Sequence, residues 1–216
     1  MSSSEEGIYV CIQADSTKQF PAAVTSTQQV LMMFKLKGVE PKVLLVLEDD
    51  KSILKEISPS GTLPVLFRNV KGSREVYEEV GAIEDFIESL PGPSLKGGKG
   101  SLMAKIQNLM LLTKFRSFLN SNNTKAEDTL KLHLEILDKL LASRKTRFVE
   151  SDSLTFVDSY LLPILLVIRV AGAKKGFQIP ATLKNVRLYI EEGDKSQVFQ
   201  ETRPTDSSII DHWCRR

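Results

Sequence analysis

The stretch "PGPSLKGGKG", residues 91–100, limits what this chain can fold into more than any other. It holds two prolines and four glycines in ten positions. Proline lacks the amide a helix or strand needs, and glycine loses the most backbone freedom on ordering, so no regular element runs through it. The patterns on its two sides differ in kind. Short β-type runs alternate with helical ones before it, and only helical patterns follow. The expected organisation is one domain over residues 1–90, a linker over 91–100 and an all-helical domain over 101–216.

In the first half, "GIYVCIQA" is rich in Ile, Tyr and Val and reads as a strand. Pro21 then precedes an apolar helical segment, Val30 to Leu36, that stops at Lys37-Gly38. "KVLLVL", bounded by Pro41 and an acidic turn, has the unbroken apolar character of a buried parallel strand, and "SILKEI" completes a second unit of this kind. "SGTLPVLF" and "REVYEE" predict a hairpin joined through "RNVKGS". "VGAIEDFIESL" then places Ile83, Phe86, Ile87 and Leu90 at helical spacing. The order β-α-β-α-β-β-α is that of a thioredoxin-like domain.

In the second half, Leu130, Leu134, Leu137 and Leu141 form one apolar stripe on a helix near residues 125–141. "TFVDSYLLPILLVIRVAG" is apolar nearly all round. Pro163, Arg169 and a polar start make it the buried central helix of a soluble domain rather than a membrane span. The start has a specific device: Thr155 and Asp158 stand at capping-box spacing, with Asp as a shorter variant of the usual Glu or Gln.

Composition excludes several function classes. At 42% hydrophobic and 26% charged, the 216 residues are those of an ordinary folded protein. The net charge of +2 is spread along the chain without a basic block, which argues against nucleic acid as a partner. "MSSSEEGIYV" has no basic and apolar regions of a secretion signal, so a cytoplasmic location is expected. With only Cys11, Cys214, His133 and His212 as soft ligands, no metal site is expected. Cys11 reads as buried and inert, and Cys214 in "HWCRR" as exposed beside basic residues. A monomer is expected, with a dimer linked through Cys214 as the alternative.

Six stretches follow one another over nearly the whole chain: "FKLKGVE", "SPSGTLPVLF", "EVYEEVGAIEDFIE", "LTFVDSYLLPILLVIRV", "GFQIPATLKNVRLYIEEG" and "VFQETRPTD". In that order they resemble the chloride intracellular channel (CLIC) family of the glutathione transferase superfamily. The resemblance implies a thioredoxin-like domain followed by an all-helical one. It also implies a redox motif, Cys-Pro-Phe-Ser, before the first helix. Here those places hold Val24, Thr25, Ser26 and Thr27. Valine has no ionisable atom, so no thiolate can form where the helix dipole would have favoured one. Thr25, Ser26 and Thr27 read as helix caps, with activation of bound glutathione through a hydroxyl as the catalytic alternative.

Leu63-Pro64 resembles the superfamily's cis-proline dipeptide, which holds a backbone amide toward glutathione; the fold needs that proline whatever the ligand. The acid-then-hydroxyl pair that grips the γ-glutamyl carboxylate is replaced by Glu79-Val80, and Glu78-Glu79 repel a carboxylate. Two losses argue against tight glutathione binding, and no cofactor is expected.

The family's membrane-inserting segment corresponds to residues 25–47, which include Val30, Phe34, Lys35, Lys37, Val43 and Leu47. Its length suits a span of roughly 20 residues. Its charges at Lys35, Lys37, Glu40 and Lys42 each cost on the order of 2.5 to 3.5 kcal/mol in a bilayer centre, so spontaneous insertion as a lone helix at neutral pH is not expected. Acid near pH 5.5 would charge the histidines, neutralise some carboxylates and favour an anionic membrane surface. The resemblance therefore implies a soluble cytoplasmic protein that associates conditionally with membranes and conducts anions, lacking the redox cysteine. The alternatives are a non-catalytic scaffold for protein partners and, more weakly, a residual glutathione-dependent transferase or oxidoreductase.

Overall fold

The computed structural model describes residues 5–47, 49–97, 101–121 and 123–214. Residues 98–100 of the expected linker and the first four of the N-terminal stretch lie outside the described residues. The chain divides into two units, residues 1–94 and 95–216.

The first unit contains β1 (Gly7–Gln13), α1 (Thr25–Lys37), β2 (Lys42–Val46), α2 (Lys51–Ile57), β3 (Val65–Val70), β4 (Ser73–Tyr77) and α3 (Val80–Ser89), the β-α-β-α-β-β-α succession read from the sequence. The sheet order is β2-β1-β3-β4. β1 runs parallel to β2 and antiparallel to β3, which pairs antiparallel with β4. Flanked by a strand on each side, β1 buries Val10, Cys11 and Ile12 completely, which explains its unbroken apolar character.

Two elements differ from what the sequence predicts. β2 is an edge strand with one neighbour, and its burial is partial: Lys42 and Val43 are exposed, Leu44 and Leu45 half-buried, and only Val46 is buried. An apolar run does not by itself distinguish an edge from a centre. The hairpin connection is shorter than "RNVKGS", because Val70 and Ser73 already pair and only Lys71 and Gly72 turn, with φ of +47° and +81°. Two left-handed residues match the twist of the flanking strands.

The helix stop was legible. Gly38 takes the left-handed conformation after α1, and its amide donates to Lys35 O at 3.1 Å. On α3, Ile83, Phe86 and Ile87 are buried.

The second unit is helical among its described residues: α4 (Ser101–Asn108), α5 (Leu111–Asn120), α6 (Thr124–Ala142), α7 (Phe156–Lys174), α8 (Lys184–Asp194), α9 (Gln197–Thr202) and α10 (Asp206–Cys214). The stripe of Leu130, Leu134, Leu137 and Leu141 on α6 is buried. α7 is the one helix among the described residues long and apolar enough to cross a membrane, and 72% of that stretch is buried inside the fold. At its start the Thr155 amide and hydroxyl donate to Asp158 Oδ2 at 2.9 and 2.8 Å. The Val149 amide and the Tyr189 hydroxyl donate to Asp158 Oδ1 at 3.1 and 2.8 Å. The carboxylate that starts α7 thus also ties down the preceding loop and α8.

Candidate functional site

The loop between β1 and α1 is organised by Asp15. Its carboxylate accepts from the Thr17 hydroxyl at 2.8 Å and the Thr17 amide at 3.2 Å, and its own amide donates to Phe20 O at 2.8 Å. A bridge between Ala14 and Pro21 returns the chain to the strand, so Val24 arrives at the head of α1. Val24 is the N-cap residue, extended at φ −87° and ψ 129°, and its carbonyl accepts from the Gln28 amide at 3.2 Å. Its side chain has no acceptor for the free amides of the first turn, and no side-chain cap forms.

This corrects the expectation that Thr25, Ser26 and Thr27 cap the helix. Val24 occupies the extended cap position, so the three hydroxyls lie inside the first turn, where helical backbone carries them away from the N2 and N3 amides. Thr25 and Thr27 are buried, and Thr27 Oγ1 makes no hydrogen bond. Ser26 is the half-exposed hydroxyl of the three.

The Leu63-Pro64 bond is cis. Pro64 is buried at the entry to β3, while Leu63 packs partly buried against the cluster of Tyr9, Cys11, Val65 and Phe67.

At the head of α3, Glu79 is the N-cap residue, exposed and without a side-chain cap bond, and Val80 follows with 41% of its surface exposed. Glu78 is turned elsewhere. Its Oε1 accepts from Ser58 Oγ at 2.5 Å, Ser60 Oγ at 2.7 Å and the Ser60 amide at 2.8 Å. These donors hold its carboxyl below the ordinary value. Of the two acids expected to repel a substrate carboxylate, Glu79 is thus the one left without such partners. Sequence reasoning missed this tie, although hydroxyl-rich "SPSGT" was a signal that a nearby carboxylate could be satisfied there.

The segment read as membrane-inserting is also placed differently from a free amphipathic helix. Val30 and Phe34 are 1% exposed, Lys35 and Val43 face solvent, and Leu47 is half-buried. Lys37 is the unexpected residue. Its Nζ donates to Glu88 O at 2.9 Å and Pro93 O at 3.0 Å, lies 3.5 Å from the Glu88 carboxylate, and its side chain is 2% exposed. Gly92 permits the approach: with φ +121°, a Cβ there would lie 2.5 Å from Lys37 O. Nearby, Gln29 Nε2 donates to Glu84 Oε1 at 2.9 Å, joining α1 to α3.

Neither thiol substitutes for the missing one. Burial pushes Cys11 up to about 12, against a smaller opposing effect of Arg74. Cys214 is half-buried rather than exposed, because its place on α10 turns Sγ toward Ala171 O at 3.7 Å. Burial raises its thiol, with Lys175 and Lys174 acting in the opposite direction. The head of α1 therefore carries no thiol, and Ser26 is its half-exposed hydroxyl.

The family model described as glutathione S-transferase, N-terminal domain, matches residues 25–90. The chain is 30% identical over 154 residues to chloride intracellular channel exl-1 of Caenorhabditis elegans, a match covering 70% of this chain but only 62% of that protein. It is 30% identical over 193 residues to glutathione S-transferase DHAR2 of Arabidopsis thaliana, covering 87% of each. It is 25% identical to human chloride intracellular channel protein 3, covering 96% of this chain and 95% of that one. Its fold is similar to the crystal structure of the CLIC homologue EXC-4 from C. elegans, with a TM-score of 0.77 at 21% identity over 97% of this chain and 82% of that one.

Proposed function

We propose the following function for a chain that belongs to the chloride intracellular channel family of the glutathione transferase superfamily. It is a non-enzymatic member, soluble in the cytoplasm, that associates with anionic membranes under acid conditions and conducts anions there. The observation that carries this reading is Val24 at the N-cap of α1. With no ionisable atom at that place, this chain shares a scaffold, not thiol chemistry, with relatives named as channels. Glutathione is not a cofactor in this reading: the thiol partner is absent, and Val80 stands where a hydroxyl would grip the peptide.

Chloride release from anionic vesicles at pH 7.4 and 5.5, with Val24→Cys alongside, tests it. Release by the wild type at acid pH supports the thiol-free reading. Release by the variant alone overturns it and identifies the thiol as essential.

A second reading, a soluble scaffold that binds protein partners, is favoured by Lys37. An ammonium held by two carbonyls and a carboxylate opposes the release of α1 that insertion requires. No release from folded wild type at either pH, together with capture of a partner protein, would select it. The weaker enzymatic reading is left with Ser26 as its half-exposed hydroxyl, and thiol-conjugation turnover lost in Ser26→Ala would revive it.

A further inference from the structure

The second unit has a cleft of about 390 Å³ where the C-terminal end of α6, the segment after it and α8 meet. Its lining includes Arg144, Lys145, Thr146, Arg147, Asn185 and Leu188. The lining thus holds three cations within four residues, Arg144, Lys145 and Arg147, and one carboxylate, Glu192. That carboxylate is shared: Arg147 Nε contacts Glu192 Oε2 at 2.5 Å, and Lys195 Nζ contacts Oε1 at 2.7 Å. Lys145 is exposed and has no ion pair among the described residues.

Arg144 is held in place without using its hydrogen-bonding capacity. Its guanidinium stacks over the Tyr189 ring, 5.5 Å from the centroid, and that ring is fixed by its hydroxyl bond to Asp158. Its Nη1 is buried and makes no hydrogen bond. Arg144 thus lines the cleft with its guanidinium fixed by stacking and with Nη1 unpaired.

The neutral polar groups of the cleft are already committed. Thr146 Oγ1 donates to Phe148 O, and Asn185 Nδ2 donates to Asp138. The donors left to a ligand are therefore cationic. Leu188, 49% exposed, adds an apolar edge. The geometry points to an anion site in this cleft, built for a phosphate group with Arg144, Lys145 and Arg147 as its donors. Guanidinium forks match the spacing of phosphate oxygens, and the ammonium serves the remaining charge. The group arrives either as free phosphate or as the phosphate of a lipid headgroup, with Leu188 against the ester carbon. The site needs no release of α1 and stands apart from the membrane-insertion reading.

The test titrates inorganic phosphate into the full chain, following backbone amide NMR shifts at residues 144–147 and 185–188, against sodium chloride at matched ionic strength. Saturable shifts with phosphate but not chloride are expected, weakened roughly tenfold or more in Arg144→Gln and in Lys145→Ala. Lys145 is exposed, so its variant keeps the fold and the test valid should Arg144→Gln unfold. A second arm measures binding to phosphatidylcholine vesicles with and without phosphatidic acid. Phosphate-dependent shifts plus Lys145-dependent vesicle binding assign a headgroup, and shifts without vesicle binding assign free phosphate. Shifts reproduced by chloride, or unchanged in Lys145→Ala and Arg144→Gln, overturn the site.

Discussion

Lys37 Nζ lies 2.9 Å from the carbonyl oxygen of Glu88, so the last turn of α1 is fastened to the end of α3 by a buried cation. Pro93 O accepts from the same ammonium at 3.0 Å. Lys37→Met keeps much of the stem packing but leaves both carbonyls without this donor. The expected loss is about 2 to 4 kcal/mol in chemical denaturation, seen as a lower midpoint at unchanged slope. If release of α1 limits membrane association, the variant also releases chloride from vesicles at a higher pH than the wild type. A variant as stable as the wild type would show that the fastening contributes nothing.

Two carboxylates of the first unit respond to acid in opposite senses. Hydrogen bonds from Ser58 and Ser60 lower the Glu78 carboxyl from 4.5, so its stabilisation is present above 4.5 and lost as pH falls through the lowered value. Burial, then the neighbouring Asp85, raises Glu84, so the folded state holds that proton more tightly and gains stability as pH falls through the raised value toward 4.5. Denaturation midpoints followed from neutral pH to below 4.5 should show Glu84→Gln losing the gain on acidification and Glu78→Gln losing the decline below 4.5. The α1–α3 contact at Gln29 and Glu84 is therefore not where acid loosens this unit.

Thiol reactivity gives a direct check on Val24. With Cys11 at about 12 and Cys214 raised by burial, native wild type should react slowly with a disulfide reagent at neutral pH and yield both thiols only on unfolding. Val24→Cys should add one rapidly reacting thiol, because the N-terminus of a 13-residue helix favours the thiolate. A fast thiol in the wild type would contradict the burial of Cys11 or the raised thiol of half-buried Cys214.

What was legible in the sequence was local. The Gly38 stop, the leucine stripe of α6 and the Thr155–Asp158 spacing each depend on residues within one helix or one turn. What was hidden depends on residues far apart in the chain. Lys37 looked like a charge to be solvated, and its acceptors lie 51 and 56 residues away. The Glu78 carboxylate meets hydroxyls 18 and 20 residues earlier, and Arg144 is placed by a tyrosine on another helix. The edge position of β2 follows from strand order, which hydropathy does not encode. The hydroxyls after Val24 were misplaced by one position, because an apolar residue filled the cap.

Asp158 is where that local signal reaches furthest. The sequence assigns it to one turn of helix, yet its two oxygens accept from the Thr155 amide and hydroxyl, the Val149 amide and the Tyr189 hydroxyl, and the residue is fully buried. Asp158→Ala would strand four donors, all away from water, and is expected to destabilise the protein by about 3 to 5 kcal/mol. Asp158→Asn keeps one acceptor oxygen but turns an amide toward donors, so its loss should be smaller than that of Ala. Tyr189→Phe removes one donor with its partner still served by three others, and should lose about 1 kcal/mol. That ranking, read from denaturation midpoints, separates a shared structural junction from a simple helix cap: a cap alone would make Tyr189→Phe neutral.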